Sequence, residues 1–193
     1  MKKLTFILSL LIVPASVFAQ DVWVEDPAHS KLGFTVTHLG IADVPGYFSD
    51  YKVNITSSKD DFSDAQVELI VQTASIETRV DQRNDHLKSA DFFDVEKYPT
   101  MTFKSTGIKK LAKNSYALTG NLTLHGITKE VKVHMVYRGK VQNEMTYGAL
   151  KAGIQITGTI DRSDFDLGNG FPPPMISNKV QIKADGEFTK QDS

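Results

Sequence analysis

Apolar and polar residues alternate with a period of two along most of this chain. Leu32, Phe34, Val36 and His38 share one face of the segment KLGFTVTH, with Gly33, Thr35 and Thr37 on the other. Tyr51, Val53 and Ile55 alternate with Lys52, Asn54 and Thr56 in the same way, and Ala65, Val67, Leu69 and Val71 form a third face. Met101 and Phe103 follow, then Tyr116, Leu118, Leu122 and Leu124, then Val131, Val133 and Met135. Ile154, Ile156 and Ile160, and finally Val180, Ile182, Ala184 and Phe188, complete the series. Successive side chains of a strand point to opposite faces, so each run predicts a half-buried β-strand.

Pro45-Gly46, Gly107, Asn114, Gly126, Arg138-Gly139 and Asp185-Gly186 are expected to be the turns between these strands. About eight strands at this spacing predict an all-β antiparallel sandwich or barrel. An immunoglobulin-type sandwich pairs a core tryptophan with two cysteines. This chain has no cysteine, and its single tryptophan, Trp23, precedes the strand series. A closed barrel is the preferred architecture, because closure removes the edges through which sheets aggregate. Two passages break the period. Asp81–Ser89 favours a short helix, ended before the next strand by Pro99, and 168–177, with its Pro172-Pro173-Pro174 run, predicts a rigid surface loop.

The first residues change the picture of where the chain works. Lys2 and Lys3, the apolar run from Leu4 to Val13, and Val17-Phe18-Ala19 have the layout of a cleavable secretory signal peptide. The apolar run is too short for a membrane-spanning helix, which needs about 20 residues. The expectation is a signal peptide over 1–19 and one domain over 20–193, exported to a bacterial periplasm. With no cysteine, that domain has neither disulfides nor thiolate metal sites. Without Lys2 and Lys3 the 23 acidic residues are in slight excess over the basic ones. No basic patch dominates, so a nucleic-acid partner is not expected.

Candidate chemistry is sparse. His29, His38, His86, His125 and His134 show none of the spacings that pair ligands on one helix face or strand, and no metal or cofactor is expected. His125 and His134 are expected to point into solvent. There is no Gly-x-Ser-x-Gly elbow, and carboxylate pairs such as Asp85/Asp91 or Asp161/Asp164 are ordinary surface features, so no catalytic residue is assigned. Arg162 continues the parity of Ile154, Ile156 and Ile160. It lies either in solvent beyond the strand or at the barrel mouth, placed to pair with Asp91, Asp94 or a ligand head group. His38 ends its strand with the same inward parity.

Four segments carry a family resemblance: DPAHSKLGFTVTHLGIADVPGYF (26–48), SIETRVDQRNDHLKSADFFDVEKYPTMTFKS (75–105), GNLTLHGITKEV (120–131) and GTIDRSDF (158–165). The chain resembles the YceI-like, polyisoprenoid-binding periplasmic proteins. The second segment is the most specific, running through Arg83, Asp85, His86-Leu87, Ser89, Phe92-Phe93, Tyr98-Pro99, Phe103 and Ser105. The chain departs from the pattern at DFDLGNGFPPPMIS, where many members pass almost directly into the last strand.

The resemblance implies an extended lipocalin-like antiparallel eight-stranded barrel with one short helical interruption. It implies a bound isoprenoid lipid or quinone and no reaction. On that reading Leu32, Phe34, Val36, Tyr51, Val53, Leu69, Phe103, Leu118, Leu122, Val133, Ile154, Ile156 and Ile182 line or support the channel for the lipid tail, the alternative being an ordinary filled core. His38 and Arg162 stand at the mouth. Arg83, Asp85 and His86 are expected to form a hydrogen-bonded corner, with Leu87, Phe92 and Phe93 plugging the barrel end. An enzyme acting on a small lipophilic substrate in the same barrel, or an accessory module of a membrane oxidoreductase, are the alternative functions. Transient contact with a membrane or such an oxidoreductase fits either; monomer and homodimer both remain open.

Overall fold

A computed structural model describes residues 20–191 of the 193-residue chain, so the expected signal peptide lies outside the described residues. The strands are β1 (Asp21–Glu25), β2 (Lys31–His38), β3 (Ala42–Phe48), β4 (Tyr51–Ser57), β5 (Gln66–Gln72), β6 (Ile76–Glu77), β7 (Thr100–Ala112), β8 (Ser115–Leu124), β9 (Ile127–Val141), β10 (Lys151–Asp161) and β11 (Lys179–Lys190). One helix, α1 (Asp81–Lys88), separates β6 from β7. Pairing runs β1-β4-β5-β7-β8-β9-β10-β11, and β11 pairs back to β1, closing an eight-stranded antiparallel barrel.

The remaining short strands lengthen three staves of that barrel. β11 first holds β2, with Gln181 opposite Thr35, and then β1, with Phe188 opposite Glu25. β1 and β2 are therefore one bent stave, kinked at a 3-10 turn over Pro27–His29. β3 and β4 form the next, and β5 and β6 the third. At this extended end β6 pairs with β3 over only two positions, and α1 with the following loop fills the space before β7.

Four of the six expected turns are features inside strands. Asn114 and Gly126 do sit in turns, both with positive φ. Pro45 and Gly46, however, lie within β3, opposite Thr35 and Phe34. Beyond its pairs with β6 at Tyr47 and Phe48 the outer edge of β3 is unpaired, so Pro45 breaks no ladder. Gly46 is needed because the Phe34 ring lies over it: a Cβ there would come within 2.3 Å of Cζ. Gly107 marks a register shift in β7, and Gly139 adjoins one between β9 and β10. Asp185-Gly186 falls where β11 exchanges β2 for β1 as its partner. Such bulges and bends increase strand curvature, which a small closed barrel requires.

The end opposite α1 is plugged. Phe62, from the β4–β5 connection, is fully buried between Trp23 (ring centroids 5.2 Å apart) and Tyr137 (5.0 Å). The Tyr116 hydroxyl donates to the Asp61 carbonyl at 2.5 Å, tying the plug to β8. Lys140 Nζ lies 5.1 Å from the Trp23 ring centroid and 2.8 Å from Asp60 Oδ1.

Candidate functional site: a two-chamber apolar barrel

Alternation places one face of every strand inside the barrel, and those faces do not fill it. An inner chamber of about 150 Å³ lies between Tyr51, Val53, Leu69, Phe103, Leu118, Leu122, Val133, Ile154, Ile156 and Ile182. A second chamber of about 410 Å³ continues toward α1 past Val36, Val44, Leu87, Phe92, Phe93 and Leu124. Phe34, Phe48, Met101, Ile160 and Ile182 border both, so they form the neck between them. Phe34 and Phe48 pack with ring centroids 5.8 Å apart, and Phe93 meets Phe48 edge-on at 5.7 Å. A pocket of this size, apolar with few polar groups, is the usual form of a small-molecule site.

The polar groups of the wall gather at two places. Glu25, Ser30, Lys31 and Asp185 border the inner chamber where the bent staves fork. His38, Thr78, Arg83, His86 and Arg162 border the outer chamber at the mouth. All fifteen residues expected in the channel or at its mouth border one chamber or the other, Leu32 included.

Arg162 is buried, with 3% of its surface exposed, and makes neither of the carboxylate pairs expected of it. The strand ends at Asp161, and a 3-10 turn over Arg162–Phe165 aims the side chain beneath the β10–β11 connection. Nε donates to the Ser177 carbonyl at 3.0 Å. Nη1 donates to Leu167 (2.7 Å) and Gly168 (2.6 Å), and Nη2 to Phe171 (2.5 Å) and Ile176 (3.1 Å). A guanidinium has five N–H donors. All five are used on backbone, so Arg162 folds the loop and has none left for a head group. Burial pushes its pKa below the ordinary arginine value. Gly168, with φ +66°, lets this loop close: a Cβ there would stand 2.5 Å from the Phe92 ring and 3.1 Å from Arg162 Nη1.

The loop over 168–177 lies between the last two strands and is largely exposed, and Arg162 beneath it and Phe171 tie it rigidly to the barrel end. Phe171 stacks on Phe92 at 4.9 Å, and the His86 ring stands edge-on to both, at 5.2 and 5.1 Å. His86 Nε2 also meets Asp91 Oδ2 at 2.9 Å. Phe92 and Phe93 are buried and Leu87 half-buried, and all three line the outer chamber at this end.

The hydrogen-bonded corner has different members from those expected. Its centre is Thr78: Arg83 Nε donates to Thr78 Oγ1 (2.8 Å), Arg83 Nη2 to the Thr78 carbonyl (2.6 Å), and Asn84 Oδ1 accepts from Thr78 N (2.8 Å) and Oγ1 (2.7 Å). Asp85 is exposed and lies outside this network. One residue is a rotation of about 100° on a helix, which carries the buried Asn84 inward and its neighbour Asp85 outward. His125 is also unlike its expectation. It follows the last strand position of β8, adopts φ +52°, and turns back to be half-buried against Tyr98, 4.5 Å between centroids. His134 is exposed.

Of the histidines weighed as a metal cluster, His38 and His86 border the mouth, while His29 sits beside Asp26 and Glu187 at the kink of the first stave. There Lys151 Nζ lies 2.6 Å from Asp26 Oδ2 and 3.3 Å from Glu187 Oε2, filling the cation position with an ammonium. Lys151 and His29 together hold the Asp26 pKa down at about 2.

Residues 23–188 match the family model of the YceI-like domain. The chain belongs to the YceI-like family. A YceI protein of Salmonella arizonae is 33% identical over 179 residues, covering 92% of each chain. Burkholderia cenocepacia BcnA superposes with a TM-score of 0.74 at 25% identity, over 84% of this chain and 98% of that one. A polyisoprenoid binding domain from Saccharophagus degradans, described as implicated in plant cell wall breakdown, shares the fold at 15% identity with a TM-score of 0.67, over 90% of this chain and 100% of that one. Within this YceI-like barrel, parity also marks Ile55 and Val67, two positions along from Val53 and Leu69, and both border the inner chamber. Phe171, Met175 and Thr78, by contrast, stand in irregular segments where no periodicity exists to place them.

Proposed function

We propose that this protein is a periplasmic binding and carrier protein for a long isoprenoid-type amphiphile, a polyprenyl phosphate or an isoprenoid quinone. The tail occupies both chambers and the head group rests at the α1 end. The observation that carries the reading is the wall itself: two apolar chambers meeting at Phe34, Phe48, Met101, Ile160 and Ile182, closed by Phe62 beyond the inner one and bordered by His38, Arg83 and His86 at the outer one. Arg83 gives Nε and Nη2 to Thr78, which leaves Nη1 to meet a head group. The polyisoprenoid-binding relative supplies the architecture, and the ligand class rests on the shape and apolarity of the chambers.

The energetics suit a carrier. Moving ten methylene-sized units from water into the barrel contributes roughly 8 kcal/mol at about 0.8 each. That corresponds to a Kd on the order of micromolar before the costs of binding. A lipid leaving a bilayer starts from an equally apolar environment, so the tail contribution nearly cancels and release stays feasible. Selectivity then falls to chain shape at the neck and to the polar groups at the mouth.

Titration with a detergent-dispersed isoprenoid quinone tests the proposal. Wild type should saturate, and Ile156→Trp, which fills the inner chamber from β10, should weaken binding about tenfold or more, the loss of two or three buried methylene contacts. Equal binding by a stably folded Ile156→Trp protein would place the ligand elsewhere and refute the reading.

A further inference from the structure

Two loops at the mouth expose large apolar side chains and carry no charge. From residue 38 to 42 and from 167 to 177 there is no Asp, Glu, Lys or Arg. Ile41 is 85% exposed, Leu39 52% and Met175 44%. The loops are joined: Leu39 N donates to the Met175 carbonyl at 3.0 Å, Ser177 N to the Thr37 carbonyl at 2.8 Å, and Thr37 N to Ser177 Oγ at 2.9 Å. His38 and Ile176 form a further strand-like bridge. The Arg162 cage fixes the second loop from beneath. These apolar tips therefore stand on a rigid base. Met175 and His38 also border the outer chamber, so the rim and the channel opening are continuous.

We propose that this rim, Leu39, Ile41 and Met175, is a membrane-docking surface that enters the headgroup–acyl boundary of a lipid bilayer and sets the channel mouth against it. The inference rests on the carrier reading, since an isoprenoid amphiphile resides in a bilayer and must pass from it into the channel. Contiguous exposed apolar residues mark interaction sites. A charge-free tip enters lipid without desolvating an ion, whereas a protein partner is usually met through a polar rim. Because attraction comes from apolar area and not from basic residues, docking should depend little on salt or on anionic lipid. A second set of exposed apolar residues, Met145 and Tyr147, lies in the β9–β10 connection at the plugged end, far from the opening, and provides an internal control.

The test uses vesicles of phosphatidylethanolamine and phosphatidylglycerol carrying an isoprenoid quinone, with transfer of quinone to the protein followed over time. Ile41→Asp should slow transfer about tenfold, the effect of one large apolar side chain lost from the interface. Met145→Ser/Tyr147→Ser should transfer at the wild-type rate. High salt should leave the wild-type rate within about twofold. Binding of quinone presented in detergent should be the same for wild type and Ile41→Asp. Equal vesicle transfer by wild type and Ile41→Asp, with detergent binding intact, overturns the docking surface and leaves the carrier. Failure to bind quinone in either form removes the carrier reading itself. Transfer that requires a membrane protein added to the vesicles overturns a lipid surface as the occupant and assigns the rim to a protein.

Discussion

Arg162 offers the sharpest test of how the barrel mouth is built. Its five donors all reach backbone carbonyls of residues 167, 168, 171, 176 and 177. Lysine keeps the charge but has three donors radiating from one atom, so Arg162→Lys leaves at least two carbonyls without their partner. A hydrogen bond to a charged group contributes about 1.5–3 kcal/mol, and water can recover part of it at the part-buried carbonyls of the loop. The expected loss is about 3 kcal/mol, or a Tm lower by about 6–12 °C for a domain of this size. Urea unfolding followed by Trp23 fluorescence reads the change at the opposite, plugged end, so a shifted midpoint reports global stability. The quinone affinity of the folded variant should change less than about threefold, because every Arg162 donor is already taken by a backbone carbonyl. A variant with stability within about 0.5 kcal/mol of wild type but a large loss of affinity would refute the structural role and return Arg162 to head-group binding.

Three further outcomes follow from the same packing. Phe62→Ala removes a fully buried ring from between Trp23 and Tyr137 and should cost about 3–5 kcal/mol in a urea titration; a loss below about 1 kcal/mol would show that the plug is not a structural seal. Phe34→Ala widens the neck between the chambers, so competition binding should show a shift in preference toward bulkier or longer chains, and an unchanged preference order would count against the neck. The Asp26 carboxyl, held down at about 2 by Lys151 and His29, stabilises the folded chain fully above its unfolded pKa of about 4. That stability is lost as pH falls through about 2. Asp26→Asn should therefore flatten the wild-type decline in Tm between about pH 4 and pH 2, and parallel curves would contradict the linkage.

The alternation of apolar residues made eight staves and the channel wall legible, because strand parity decides which face a side chain occupies. Ile154, Ile156 and Ile182 could be placed inside on that ground alone. Parity says nothing about where a strand bends while its ladder continues, so Pro45-Gly46 reads locally as a turn. What keeps Gly46 in a strand is the Phe34 ring lying over it, a contact across the sheet with no local trace. The same limit applied at the mouth. Arg162 has inward parity, but its partners are carbonyls from a loop without periodicity, and no side-chain pattern reveals a carbonyl cage. On α1 the local sequence names Arg83, Asn84, Asp85 and His86 together, and only the docking of the helix against Thr78 separates the buried Asn84 from the exposed Asp85. Trp23 carried no alternation signal strong enough to define β1, yet it is buried against Phe62 where that end of the barrel closes.

Whether the chambers hold an isoprenoid chain is measured most directly by organic extraction of the purified protein followed by mass spectrometry. Wild type should yield a lipid whose fragments repeat in isoprene units, in an amount approaching one per chain and sharply reduced from Ile156→Trp. No lipid from wild type, together with no uptake of added polyprenyl phosphate or quinone, would contradict the carrier reading.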